Sequence, residues 1–178
     1  MTEAELIKGC LRERTDAQQE LYRRYGGKLY AVCLRYARHR LEAEDLLQDA
    51  LVRIFDRLYT FKSKGSLEGW MRRITVNMCI KNYRRHSFQK EDLGLDNRPE
   101  DAYDPQVFAR MSAAELMDLV RALPEGYRIV FNLYAVEGYS HKEIAQELGI
   151  SESTSRSQLL KARKTLQRQV SLLQKVNL

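Results

Sequence analysis

Ser140-His141-Lys142-Glu143-Ile144-Ala145-Gln146-Glu147-Leu148-Gly149-Ile150-Ser151 decides how this chain must be read. Ser140, with Glu143 three residues on, forms a capping box that opens a helix. Gly149 stops that helix after about two turns. Ser151 opens another, which carries Leu159, Ala162 and Leu166 at helical spacing. The pattern is a helix-turn-helix. Ala145 supplies the small side chain needed where the second helix crosses the first. Gly149, in the turn, tolerates a positive φ. Ile144, Leu148 and Ile150 pin the two helices together, and the second helix is then shaped for a DNA major groove. Its exposed side chains are expected to be Ser153, Thr154, Arg156, Ser157, Lys161, Arg163 and Lys164. Arginine reads guanine bidentately, serine and threonine reach phosphates or base edges, and lysine neutralises phosphate. Ser155 stands where such motifs bury an aliphatic side chain.

Upstream of this pair the chain is again helical. Ser112-Ala113-Ala114-Glu115 is a capping box, and Leu123-Pro124 ends that helix and starts the next, with proline at a first helical position. Gly138 closes it after Val130, Leu133 and Tyr134. Residues 88–111 have no helical period, hold turn formers and are acidic. They read as a flexible linker between a domain at 1–87 and a domain at 112–178.

In the first half, Thr15-Asp16-Ala17-Gln18 fits a capping box, followed by Leu21, Tyr25, Leu29, Val32/Cys33 and Tyr36 at helical spacing. Gly26-Gly27 interrupts that run, as a kink or a close helix contact. A helix from about Glu42 to Leu58 has the apolar stripe Leu47, Ala50/Leu51, Ile54, Leu58 and an opposite face of Asp45, Gln48, Asp49 and Asp56. The polar, glycine-bearing stretch 59–66 reads as a loop. Ser66 caps a third helix, about Leu67 to His86, which is expected to bury Leu67, Trp70/Met71, Ile74 and Met78. That helix shows Arg72, Arg73, Asn77, Lys81, Arg84 and Arg85 elsewhere. Aromatics interleaved with basic side chains suit unpaired bases, which stack on the rings while the cations track the backbone.

Composition bounds the function. The 178 residues are 44% hydrophobic and 30% charged, and 9 Gly and 3 Pro are too few for the turns of a sandwich or barrel. The expected fold is all-α, two small helical domains joined by the acidic linker. No apolar run approaches the roughly 18 residues of a membrane span. The acidic start Met1-Thr2-Glu3-Ala4-Glu5 is no signal peptide. Cys10, Cys33 and Cys79 form no Cys-x-x-Cys pair, against a disulfide framework or zinc site. The net charge of +6 is unevenly spread: 19 basic and 13 acidic residues over 1–95, 2 and 5 over 96–115, 9 and 6 over 116–178. Two basic blocks flanking an acidic stretch favour a polyanionic partner. His39, His86 and His141 are isolated in sequence, His141-Lys142-Glu143 lacks the cysteines of a deaminase site, and no phosphate-binding glycine loop accompanies Glu44, Asp45 and Asp49. Neither catalysis nor a metal or cofactor is expected.

Taken in order, several segments resemble the extracytoplasmic-function, or group four, sigma factors of bacterial RNA polymerase. They are Ala43-Glu44-Asp45-Leu46-Leu47-Gln48-Asp49-Ala50, Trp70-Met71-Arg72-Arg73-Ile74-Thr75-Val76-Asn77, Leu123-Pro124-Glu125-Gly126-Tyr127-Arg128, Glu137-Gly138-Tyr139-Ser140-His141-Lys142-Glu143-Ile144-Ala145 and Leu159-Leu160-Lys161-Ala162-Arg163. The resemblance implies a cytoplasmic protein that binds core RNA polymerase, recognises promoter DNA as duplex and as melted single strand, and helps to melt it. It implies that Glu44, Asp45, Gln48 and Asp49 dock on a coiled coil of the polymerase largest subunit. It assigns the minus-ten element to Thr60, Phe61, Lys62, Ser63, Lys64, Trp70, Arg73, Asn77, Lys81 and Arg84. It assigns the minus-thirty-five element to Ser153, Thr154, Arg156, Ser157, Leu160, Lys161, Arg163 and Lys164. It also implies an anti-sigma factor as antagonist and no membrane insertion. The alternative reading is a helix-turn-helix transcriptional regulator that does not touch polymerase.

Overall fold

The computed structural model describes residues 1–87 and 111–176, with side chains to residue 173, and its chain divides into two compact units, Met1–Arg85 and His86–Leu178. The expected linker, 88–111, lies almost wholly outside the described residues. Among the described residues every regular element is helical. None of the helices is long and apolar enough to cross a membrane.

The first unit holds α1 (Glu3–Leu11), α2 (Thr15–Tyr36), α3 (Arg40–Arg57), a 3-10 turn at Leu58–Thr60 and α4 (Leu67–Ser87). The sequence reading missed α1, although its signal was present. Thr2 and Glu5 form a capping box, with the Glu5 carboxylate accepting from the Thr2 N–H at 2.7 Å. Leu6 and Cys10 then bury one face. The expected capping box at Thr15 does not form. Glu13 takes a left-handed backbone (φ 57°) that turns the chain between α1 and α2, so Arg14 becomes the cap and Thr15 already lies inside the helix. Gly26-Gly27 does not interrupt α2, which runs unbroken for 22 residues.

In α3 the expected stripe is buried at Leu47, Ala50, Ile54 and Leu58, and Glu44, Asp45, Gln48, Asp49 and Asp56 are exposed. In α4 the core stripe is displaced from the expected one. It runs Leu67, Met71, Thr75/Val76 and Cys79/Ile80, while Trp70, Ile74 and Met78 are only half-buried on its flank. Thr75 can sit in the core because its hydroxyl donates to the Met71 carbonyl at 3.0 Å. The reading from apolar residue types could not foresee that satisfied polar group. Cys10, Cys33 and Cys79 are buried free thiols. Hydrogen bonding to Cys33, with burial, pushes the Cys79 thiol well up.

Glu42 ties α3 to its surroundings. Its carboxylate accepts from the Arg38 N–H at 2.6 Å, the Arg38 guanidinium at 3.0 Å and the Asn82 side-chain amide of α4 at 2.9 Å. Only 10% of this side chain is exposed. Burial alone would raise its pKa, but the Arg38 and Asn82 hydrogen bonds win and hold the carboxyl at about 2.

The second unit holds α5 (Ala113–Arg121), α6 (Glu125–Phe131), a π-helical turn at Asn132–Val136, α7 (His141–Leu148) and α8 (Glu152–Val176). The capping boxes at Ser112 and Ser140 are both formed. Pro124 stands one residue earlier than expected, as the N-cap of α6 (φ −50°, ψ 143°) rather than inside it. Gly149 closes α7 in the left-handed conformation (φ 68°) that its turn demands. Val120, Leu123, Ala162 and Leu166 form a core flanked by Leu116, Met117, Leu119, Tyr127 and Phe131, and this packs α5 and α6 on the middle of α8. Ile144 and Leu148 bury the inner face of α7.

The Glu42 cluster makes a test of the first unit. Because its carboxyl is held below the ordinary 4.5, its stabilisation is fully present above that value and is lost as pH falls toward about 2. Glu42→Gln is expected to cost about 1–3 kcal/mol at neutral pH. It should also flatten the acid limb of stability, followed by helical circular dichroism in urea. A wild-type acid limb retained in the variant would place that titration elsewhere.

Candidate nucleic-acid interface and docking face

Helix α3 forms a ridge between two grooves. On one side a groove of about 480 Å³ is lined by Tyr22, Gly26, Gly27 and Tyr30 of α2 and by Arg40, Glu44, Leu47, Gln48 and Leu51. On the other a groove of about 570 Å³ joins Asp49, Val52, Arg53, Asp56 and Arg57 to Ile74, Asn77, Met78 and Lys81 of α4. Glu44, Asp45, Gln48 and Asp49 occupy the ridge, all exposed. Glu44 pairs with Arg40 at 3.2 Å, a surface contact of small stabilising value. The structure therefore brings Asp49 beside Asn77 and Lys81, two residue sets that the sequence reading had assigned to different partners.

The loop after α3 is short and internally braced. Thr60 donates to the Arg57 carbonyl at 2.7 Å, and the Phe61 N–H donates to the Leu58 carbonyl at 3.0 Å. Ser63 (φ 52°) and Gly65 (φ 93°) turn it back, and the Ser66 hydroxyl caps α4 by accepting from the Gly69 N–H at 3.2 Å. Lys62, Ser63 and Lys64 project at its exposed tip. Phe61 leans on Trp70 with ring centroids 5.5 Å apart and planes at 49°, both half-buried. Further along α4, Arg73, Asn77, Lys81 and Arg84 form an exposed stripe at helical spacing. Aromatic floor, basic tip and basic stripe lie in one continuous stretch, the combination that holds single strands by stacking and charge.

In the second unit Ser153, Arg156, Ser157 and Leu160 are exposed on α8, and Leu160 is an apolar side chain 42% exposed. Thr154, Lys161, Arg163 and Lys164, expected to be exposed, are half-buried. Several of these groups already have internal partners. Thr154 shares a hydroxyl contact with Ser151 at 2.8 Å, Arg156 pairs with Glu152 at 2.9 Å, and the Arg163 guanidinium lies 5.7 Å over the Tyr134 ring. Ser155 is fully buried, and its hydroxyl meets His141 Nδ1 at 2.9 Å. His141 in turn stacks on Tyr134, centroids 4.7 Å apart and planes at 20°. A polar lock thus replaces the usual aliphatic contact between α7 and α8. Helical periodicity does not announce these parts, because the His141–Ser155 bond spans 14 residues and the Tyr134–His141 stack crosses the turn between two helices. The buried serine was the only signal. Burial first, then Arg156 and Arg163, hold the His141 imidazole below its ordinary value, against a smaller opposing pull from Glu152.

Among the described residues no cluster of His, Cys, Asp and Glu could hold a metal ion. Known proteins share both units. The family description "Sigma-70 region 2" matches residues 21–89, and "Sigma-70, region 4" matches residues 113–166. The ECF RNA polymerase sigma factor SigE of Mycolicibacterium smegmatis is 31% identical over 153 residues, 83% of this chain; the chain spans 59% of that relative's length. The RNA polymerase sigma-E factor of Streptomyces coelicolor is 31% identical over 122 residues, 68% of each chain. The ECF RNA polymerase sigma factor SigM of Mycobacterium tuberculosis is 27% identical over 172 residues, covering 97% of this chain and 86% of that one.

The lock between α7 and α8 carries its own pH signature. A histidine whose folded pKa is depressed stabilises the fold above its unfolded value of 6.5, and that contribution is lost as pH falls below it. Protection factors of the α7 and α8 amides, which are exchange rates corrected for their intrinsic pH dependence, should therefore fall between pH 7.5 and 5.5. His141→Asn is expected to abolish most of this change, and an unaltered pH response in that variant would assign the titration to another group.

Proposed function

The chain belongs to the extracytoplasmic-function sigma factor family of RNA polymerase, and on that premise we propose that it binds core RNA polymerase, recognises a promoter at two elements and helps to open it. The single observation that carries this reading is the α3 ridge. Its four exposed polar residues adjoin, through the Asp49–Asn77–Lys81 groove, the basic stripe of α4. A plain DNA-binding regulator has no use for such an acidic face beside a single-strand platform.

In this reading the domains are 1–87 and 112–178, joined by the acidic stretch 88–111. Glu44, Asp45, Gln48 and Asp49 meet a basic helical surface of the polymerase, where charge complementarity sets orientation and encounter rate. Phe61, Trp70 and the loop residues Thr60, Lys62, Ser63 and Lys64 receive unpaired bases of the minus-ten element. Arg73, Asn77, Lys81 and Arg84 follow the strand. Unstacking a base costs a few kcal/mol, and stacking on an aromatic returns about 1–3 kcal/mol per base, so capture favours the open duplex. On α8, Ser153, Arg156, Ser157 and Leu160 face base edges of the minus-thirty-five element. Thr154, Lys161, Arg163 and Lys164, being half-buried, serve phosphates and hold the helix. The work is binding rather than catalysis, and its place is the cytoplasm, with the polymerase. An anti-sigma protein that covers the α3 ridge is the remaining partner of this reading.

Three substitutions in the full chain test it. Asp45→Arg is expected to lower core polymerase affinity at least tenfold and leave binding to a duplex minus-thirty-five element intact. Wild-type polymerase affinity in that variant would remove the docking assignment. Arg156→Ala should cost about 1–3 kcal/mol on the preferred duplex and relax base preference there. Lys164→Ala should weaken all sequences alike and reduce the salt slope by about one. A titration series on matched and mismatched duplexes at several salt concentrations separates the two. Uniform weakening by Arg156→Ala would mean that this helix does not read bases.

A further inference from the structure

The buried stripe of α8 runs Ser155, Leu159, Ala162, Leu166 and Val170. The four apolar members hold the helix by buried area, a contact that is not directional and tolerates small rotations about the axis. Ser155 is the polar member, and it lies at the end of the helix that carries Ser153, Arg156, Ser157 and Leu160. Burying a hydroxyl is costly unless it is hydrogen-bonded. Here it meets His141 Nδ1 at 2.9 Å. Such a bond weakens steeply off its axis, so it fixes the rotation of α8 as well as its depth.

The His141 ring is itself held. It stacks on Tyr134 at 4.7 Å between centroids. Tyr134 belongs to the π-helical turn Asn132–Val136, and such a turn re-aims the side chains that follow α6. The same Tyr134 ring carries the Arg163 guanidinium, which lies two helical turns beyond Arg156 on the same face of α8. Tyr134 thus grips α8 at two points, Ser155 through His141 and Arg163 directly, about 12 Å apart along the axis. Two points set both the roll and the tilt of a helix.

The roll matters for reading. A side-chain tip about 5–6 Å from the axis moves about 2 Å when the helix turns by about 20°. A recognition contact tolerates about 0.5 Å. A helix held only by apolar contacts can drift by more than that.

We propose that Ser155, His141 and Tyr134 are positioning residues for base recognition: they determine specificity at the minus-thirty-five element by fixing the roll of α8, and so the aim of Arg156, without themselves touching a base. The inference rests on the reading of α8 given above and deepens it.

The test separates base preference from affinity. The full chain first selects a preferred duplex from a random-sequence pool, and that duplex and its single-base variants are then titrated. Ser155→Ala is expected to lower the ratio of matched to mismatched affinity about fivefold or more. Affinity for unrelated duplex, which is set by phosphate charge, should stay within about twofold of wild type. Because the serine acts through Arg156, Ser155→Ala should remove no further discrimination from an Arg156→Ala protein. Tyr134→Leu should lower the ratio likewise, and Tyr134→Phe, which keeps the ring, should retain it. Tyr134 is only half-buried, so this pair carries the test if Ser155→Ala does not fold. An unchanged ratio in folded Ser155→Ala or in Tyr134→Leu would overturn the inference, and so would equal weakening on every duplex. If Arg156→Ala relaxes base preference while these variants do not, the reading of α8 stands and the positioning role falls. If Arg156→Ala weakens every duplex alike, the reading itself fails and takes the inference with it.

Discussion

One buried carboxylate sets the geometry of the first unit. Glu42 accepts from the backbone and guanidinium of Arg38 and from the Asn82 amide, so it fixes the point where α3 begins and the place where α4 passes it. Once that junction is set, the apolar stripe Leu47, Ala50, Ile54, Leu58 can turn inward only one way, and Glu44, Asp45, Gln48 and Asp49 must face out. The ridge is thus a consequence of a buried polar contact plus helical periodicity. A charge this deep is stabilised by the donors aimed at it, the Arg38 backbone and guanidinium and the Asn82 amide.

The second unit reaches the same end with different means. Its helix pair is positioned by Ile144 and Leu148, by the left-handed Gly149 and by the His141–Ser155 contact. The last is unusual in kind: a neutral, directional bond stands where dispersion contacts usually suffice. It aligns α8 by angle as well as by depth, because a hydrogen bond weakens steeply off its axis while a methyl contact does not. Stacking His141 on Tyr134, with Arg163 over the same ring, carries that alignment from the start of α7 to the middle of α8.

Much of this was legible in the residues, for local reasons. Capping boxes at Ser112 and Ser140, the Gly149 turn and the α3 stripe depend on neighbours within four positions, and such patterns survive folding. The departures have several causes. The capping box at Thr15 lost to a left-handed residue at Glu13, and the α4 stripe shifted because Thr75 satisfies its hydroxyl on its own helix. Glu42–Asn82 and His141–Ser155 join residues 40 and 14 positions apart, which no periodicity reports. Helix α1 carries a complete local signal in the Thr2 and Glu5 capping box. For the site, residue types located the faces; only the packing showed that Asp49, Asn77 and Lys81 share one groove and that Arg163 rests on a ring.

The Phe61–Trp70 pair has an optical consequence. Trp70 is the sole tryptophan of the chain, and it sits half-buried against Phe61 beside the basic loop tip. Its indole emission reports on that loop alone, with no signal from the second unit. A nucleobase arriving on the aromatic floor would quench or shift this emission directly. On the proposed reading of this loop the molecule carries a built-in fluorophore at its base-binding platform, and rapid-mixing experiments can time the arrival of a base there without attaching a dye.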